Sequence, residues 1–176
     1  MSALQPLETS LNDLFVKKAP PLPANGKKAL VQYLPWINLI FGVLTLYSVW
    51  ILWHWAHYAS ALVNYANSLS AAYGGTPIAV DRMGAGIWLG LLVLLVEALL
   101  YLAAYPATRD HKKSGWDLMF YAALLNVAYG IVVLFTSYGS IGTFVGSLIG
   151  SAIGLYLLFQ IRTSYLKAPV STKKEA

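Results

Sequence analysis

The sequence predicts an all-α integral membrane protein: a four-helix bundle preceded by a short N-terminal amphipathic helix and bearing a helical extracytoplasmic extension. Three observations lead there. Of the 176 residues, 58 % are hydrophobic and only 11 % charged, far from the balance of a water-soluble domain. Four stretches, 35–55, 85–105, 117–138 and 141–161, are apolar over the roughly 20 residues that a helix needs to cross a bilayer. The twelve Lys and Arg residues fall almost wholly on one side of those stretches.

Residues 1–28 form the segment before the first span. In "TSLNDLFVKK", Leu11, Leu14 and Phe15 share a helical face, with Ser10 and Asp13 at a spacing resembling a capping box. An amphipathic helix lying on the cytoplasmic leaflet is therefore expected. "APPLPANG" is too rich in proline for helix and reads as an extended connector, with Asn25 a candidate cap for the next helix. Pro35 either starts the first span or kinks it. No cleavable signal peptide is expected, because 1–28 lacks an apolar core followed by a small-residue cleavage site, so the first span serves as its own insertion signal.

The transmembrane domain covers 29–166. Its first outer connection, 56–84, is long, yet Tyr58, Leu62, Tyr65, Leu69 and Tyr73 recur at spacings of three and four with no Gly or Pro before Gly74. That periodicity predicts a helical continuation of the first span, projecting from the membrane or bent onto its surface. Asp81 is a candidate cap for the helix entering the second span. Spans three and four are joined only around "SYGS" and must form a tight antiparallel hairpin. Residues 167–176 are expected to be a disordered tail.

Orientation follows from charge. Lys17, Lys18, Lys27 and Lys28 precede span one, Arg109, Lys112 and Lys113 lie between spans two and three, and Arg162, Lys167, Lys173 and Lys174 follow span four. Only Arg82 falls on the other side. Positive residues are retained in the cytoplasm, so both termini are expected there, in a bacterial inner membrane, with the lipid bilayer and its anionic headgroups as a partner. Aromatic residues mark the same borders: Trp36, Tyr105 and Trp116 at the cytoplasmic rim, Trp53, Trp55, Tyr58, Trp88 and Tyr138 at the other. The net charge of +5 is thus topological, and nothing resembles a folded nucleic-acid-binding domain.

Glycine carries the strongest local pattern. In "GTFVGSLIGSAIG", Gly142, Gly146, Gly150 and Gly154 recur at every fourth position and form one stripe on a helix. Lipid offers little hydrophobic drive between helices, so close backbone approach carries association, and the stripe reads as a packing surface rather than a pore lining. Gly86 and Gly90 play the same part on span two, on the face that also carries Glu97.

Glu97 is the one acid within an apolar run, "LLVEALL", about 3 Å to the cytoplasmic side of mid-span. Asn126, Ser151 and Thr45 lie near the middles of spans three, four and one, and Tyr101 and Tyr129 add hydroxyls beside them. An intramembrane polar layer of Glu97, Asn126, Tyr101, Tyr129, Ser151 and Thr45 is therefore expected. It has two readings: a structural interhelical hydrogen bond, or a proton or cation site.

No enzyme is expected. The chain has no Cys and three His, leaving no thiolate metal site, no disulfide and no histidine-based hydrolase constellation. His54 and His57 share a face in "WHWAHY", but two imidazoles do not make a metal or haem site, and an interfacial role fits them better. His111 sits in a solvated basic loop. No metal and no cofactor are expected.

The pieces "LPANGKKALVQYLPWINL", "KKSGWDLMFYAALL" and "IGLYLLFQIR", under half of the chain, resemble uncharacterised small four-span bacterial membrane proteins. Four spans and a lone membrane glutamate also resemble small multidrug transporters. The chain departs from these in placing Glu97 in the second span and in its long outer segment, so their function is not carried over. The expected role is a helix-packing, accessory or scaffold subunit that self-associates or joins other membrane subunits. The alternative is a small proton- or cation-linked transporter or channel using Glu97.

Overall fold

The structure is a computed structural model and describes residues 4–74, 85–135 and 141–166. Among them there is no strand. Six helices follow in order: α1 Gln5–Asn12, continued by a π-helical turn Asp13–Lys18, then α2 Ala24–Ala72, α3 Ala85–Arg109, α4 Lys113–Leu134, α5 Ile141–Gln160 and α6 Arg162–Leu166. Asp81, Arg82, Tyr138, the "SYGS" connection and the tail from 167 lie outside the described residues.

Three helices, Ala24–Ala72, Ile87–Arg109 and Lys113–Leu134, are long and apolar enough to cross a membrane, while the described apolar stretch of α5, Phe144–Gln160, is shorter. Their outer faces suit lipid. On α2, Ile40, Phe41, Val43, Leu44 and Tyr47 are all more than half exposed, an apolar surface that a protein in water would have to cover. These are membrane-protein helices by length and composition.

α1 begins earlier than the spacing suggested, with a proline in its first turn and Glu8 near its positive end. Ser10 is therefore not a cap. Its hydroxyl donates back to the Pro6 carbonyl, and Asp13 pairs with Lys17 one turn on at 2.7 Å. After Lys18 the chain is extended only to Pro23, which stands at the N-terminus of α2 with no side-chain cap, so Asn25 already lies inside the helix. Pro35 is accommodated within α2, buried, and the helix runs on through it.

α2 has 49 residues, about 73 Å of helix against a hydrocarbon core of about 30 Å. The expected extension is thus one continuous helix with α2, and Tyr58, Leu62, Tyr65, Leu69 and Tyr73 form an exposed stripe along it. The last buried residue of α2 is Ala56.

Packing runs in chain order: α2 on α3, α3 on α4, α4 on α5. The α3–α4 turn is tight, with His111 in the left-handed region at φ 54°. α2 and α5 share no comparable interface, so the bundle stays open between its first and last long helices.

The largest core lies at the basic end. Leu34, Trp116, Phe120, Leu155, Leu158, Phe159, Ile161 and Tyr165 form one buried cluster, with Leu11 and Phe15 packed against it. Trp116 is fully buried, stacked on Phe120 at 5.3 Å and edge-on to Phe159 at 5.3 Å, with its indole N–H donating to the Leu158 carbonyl at 2.9 Å. It is a core residue and not part of an interfacial belt. Trp36, Trp53, Trp55 and Trp88 are exposed.

The N-terminal segment is bound to protein through part of the face assigned to lipid, Leu11 and Phe15, while Leu14 stays exposed. Buried Gln160 accepts from the Leu22 amide at 3.2 Å and donates to the Phe15 carbonyl at 2.7 Å, while the Tyr156 hydroxyl donates to the Pro20 carbonyl at 2.7 Å. Arg162 pairs with Glu8 and lies over the Trp116 ring, 5.4 Å from its centroid. These contacts attach α1 and its π-helical turn to the base of α5.

Candidate functional site

Glu97 is buried on the inner side of α3, and the residue one turn on, Tyr101, donates its hydroxyl to Oε1 at 3.3 Å. From α4, Asn126 donates through Nδ2 to the same oxygen at 3.5 Å, and from α5, Ser151 donates through Oγ to Asn126 Oδ1 at 3.3 Å. Four of the expected residues, Tyr101, Glu97, Asn126 and Ser151, thus form one polar chain across three helices.

The links are long for hydrogen bonds, so the chain is in register without being tightly drawn together. Both donors use Oε1. Thr45 and Tyr129 are not joined to it. Thr45 is half-buried on α2. The Tyr129 hydroxyl faces Gly90, where a Cβ would lie 2.6 Å from it.

A second polar node lies nearer the basic end. Asn38 on α2, 1 % exposed, donates through Nδ2 to Thr108 Oγ1 and to Met119 Sδ, each at 3.3 Å, while its Oδ1 has no hydrogen-bond partner. Thr108 in turn donates to the Ala104 carbonyl at 2.7 Å. This node ties α2, α3 and α4 together, and the sequence reading missed it. The signal was present: Asn38 is a polar residue in an apolar run, with Gly42 one turn along the same face.

The glycines divide in the opposite way to their periodicity. A Cβ at Gly42 would lie 2.8 Å from Leu102, and one at Gly115 would lie 2.6 Å from the Thr108 backbone nitrogen. With Gly90, these are where helix surfaces approach most closely. A Cβ at Gly146, Gly150 or Gly154 would meet nothing within 4 Å, and Gly142 is exposed at the start of α5. Among the described residues, nothing packs against Gly146, Gly150 or Gly154. Gly86 lies outside the residues whose surroundings are described.

Between α2 and α5 is a cavity of about 320 Å³, lined on one side by Leu34 and Asn38, on the other by Gly150 and Gly154, with Tyr101 and Met119 between. It joins both polar nodes: Asn38 belongs to one and Tyr101 to the other.

At the basic end, the Lys112 ammonium, hydrogen-bonded at 2.7 Å, holds the Asp110 carboxyl below the usual carboxylate range. Burial pushes the Tyr165 phenol up to about 12, and its hydroxyl has no hydrogen-bond partner. The His111 ring stacks on it at 5.9 Å.

His54 and His57 are exposed, and each places Nδ1 2.9 Å from a carbonyl of its own helix, that of Trp50 or Trp53. Among the described residues no group of three or more His, Cys, Asp or Glu side chains gathers in a way that could hold a metal.

No protein-family model, curated protein or solved structure matches this chain.

Proposed function

We propose that this protein is a four-span inner-membrane subunit with both termini in the cytoplasm, non-enzymatic, which works by packing its helices against those of another subunit. In the simplest case that subunit is a second copy of the same chain. The observation that carries this reading is the bare glycine stripe of α5 beside an open α2–α5 cavity. Small residues let backbones approach in lipid, and Gly146, Gly150 and Gly154 have no such neighbour among the described residues of their own chain.

The experiment is the molecular mass of the detergent-solubilised protein, by native mass spectrometry or light scattering. Wild type should exceed one chain. Gly146→Leu with Gly150→Leu should reduce it to one chain without lowering the monomer's melting temperature, because no contact among the described residues is overfilled and leucine favours helix over glycine. A monomeric wild type overturns the reading.

One observation favours a second reading, a proton- or cation-linked carrier. Tyr101 lines the cavity and donates to Glu97, so a polar path leads from the opening between the helices to the carboxyl. In liposomes, this reading requires solute or proton flux that Glu97→Gln abolishes. The packing reading expects no flux, tolerance of Glu97→Gln, and a loss on the order of 1 kcal/mol for Glu97→Leu.

A further inference from the structure

At the basic end, outside the polar layer, the start of α2 and the end of α3 enclose a cavity of about 650 Å³. Lys27 and Lys28 line it from the first turns of α2, and Arg109 and His111 from the end of α3 and the turn after it. Trp36 and Tyr105, 6.0 Å apart, complete its wall, with Val31 and Pro35 supplying apolar surface.

None of the three full cations there forms an ion pair with a carboxylate among the described residues. Among the described residues, Glu8 pairs with Arg162, Asp13 with Lys17, Asp110 with Lys112 and Asp117 with Lys113. The remaining described acid, Glu97, is engaged within the bundle. Lys27, Lys28 and Arg109 therefore line a common space that no carboxylate lines; Asp110, beside Arg109, feels its charge but is bonded to Lys112, so a bound anion stabilises the arrangement. The uncapped N-terminus of α2 adds its free amides and positive dipole end at the same place.

We propose that this cavity holds the phosphate headgroup of an anionic phospholipid. Arg109 suits the phosphate through its planar fork of donors and the two lysines as point charges. What selects lipid over a free phosphate is the remainder of the wall. Exposed Trp36 and its neighbour Tyr105 are the amphipathic rings that settle at headgroup depth, and Val31 and Pro35 offer an apolar surface to the glycerol and first methylenes. Basic clefts between transmembrane helices on the cytoplasmic side suit such headgroups. The inference rests on the chain being membrane-embedded and is independent of subunit association.

Native mass spectrometry and thermal melting in a neutral detergent test it, with phosphatidylglycerol, phosphatidylcholine, glycerol phosphate or inorganic phosphate added. Phosphatidylglycerol should stay bound and raise the melting temperature, and phosphatidylcholine should do neither. Lys27→Gln with Lys28→Gln should weaken retention roughly thirtyfold. Lys17→Gln with Lys18→Gln, which removes the same charge elsewhere, should leave it intact. Equal behaviour of the two lipids on wild type overturns the proposal without recourse to any variant, as does equal loss in the two double variants. Competition by glycerol phosphate or inorganic phosphate at the lipid's own concentration would make the site one for a soluble anion and overturn the lipid assignment. A chain that is not membrane-embedded would instead remain soluble without detergent, so the two failures are distinguishable.

Discussion

At Gly115 the obstacle to a side chain is backbone. A Cβ there would lie 2.6 Å from the Thr108 nitrogen and 2.7 Å from the Ala107 carbonyl carbon. Neither atom can move without opening the α3–α4 turn, so Gly115→Ala should destabilise by about 1–3 kcal/mol. At Gly90 the obstacle is the tip of a flexible side chain, the Tyr129 hydroxyl. There the gain in helix propensity, just under 1 kcal/mol, offsets the displacement, so Gly90→Ala should be close to neutral. Denaturant unfolding in detergent separates the two, and equal losses would mean that the turn yields. Tyr165 gives a pH test. Its phenol titrates near 10 when unfolded and at about 12 in the fold. A raised pKa means that the stability tied to the neutral phenol is whole below pH 10 and is lost as pH rises towards 12. Phenolate absorbance should show a late-titrating fraction that is smaller by one tyrosine in Tyr165→Phe. That variant should not lose stability, because it removes a buried hydroxyl with no partner. At this scale the sequence was legible where chemistry is rare: an acid in an apolar run must find company, and Glu97, Asn126 and Ser151 could be aligned from depth alone. Glycine was less legible. Periodicity identifies a face as small but not as inward, and in lipid both sides of a helix are apolar. The conspicuous ridge consequently lies bare, while solitary Gly42 and Gly115 are closely packed.

Among the elements, the N-terminal segment shows how far an amphipathic pattern can be read. Leu11 and Phe15 do share a face, but a helix with one apolar face fits a protein groove as well as a lipid surface. The deciding residue, Gln160, lies some 140 positions away, beyond the reach of any local pattern. Gln160→Leu keeps the volume but strips the Phe15 carbonyl and Leu22 amide of their partners, a cost on the order of 2 kcal/mol. The segment should then detach before the bundle melts, and limited trypsin digestion should cut at Lys17, Lys18 and Lys27 far sooner than in wild type. An unchanged digestion pattern would show that the Phe15 ring contacts with Tyr156 and Phe159 suffice. Trp116 has a similar explanation. Hydropathy places an indole near the rim, but contacts with Phe120, Phe159 and the Leu158 carbonyl turn it inward.

For the molecule as a whole, the all-helical character and the presence of several long apolar helices were legible because apolar runs and charged breaks are properties of the sequence itself. Whether the first and last long helices meet was not, since that depends on pairwise fit. Cysteines placed at Ser68, near the far end of α2, and at Ser114, in the basic turn, should react with a membrane-impermeant reagent from opposite faces of intact cells and inverted vesicles. Reaction of both from one face would refute the threading. The stripe on the far part of α2 follows a further rule. From Ala56 to Ala72 the helix is unbroken for about 24 Å, so it acts at once as a ruler and a compass. One residue inserted after Ala56 would lift the stripe of Tyr58, Leu62, Tyr65, Leu69 and Tyr73 by only about 1.5 Å but swing it through about 100°, whereas seven would raise it about 10 Å and turn it by only about 20°. Distance and bearing are thereby set separately, one by how many residues follow Ala56 and the other by the remainder after whole turns.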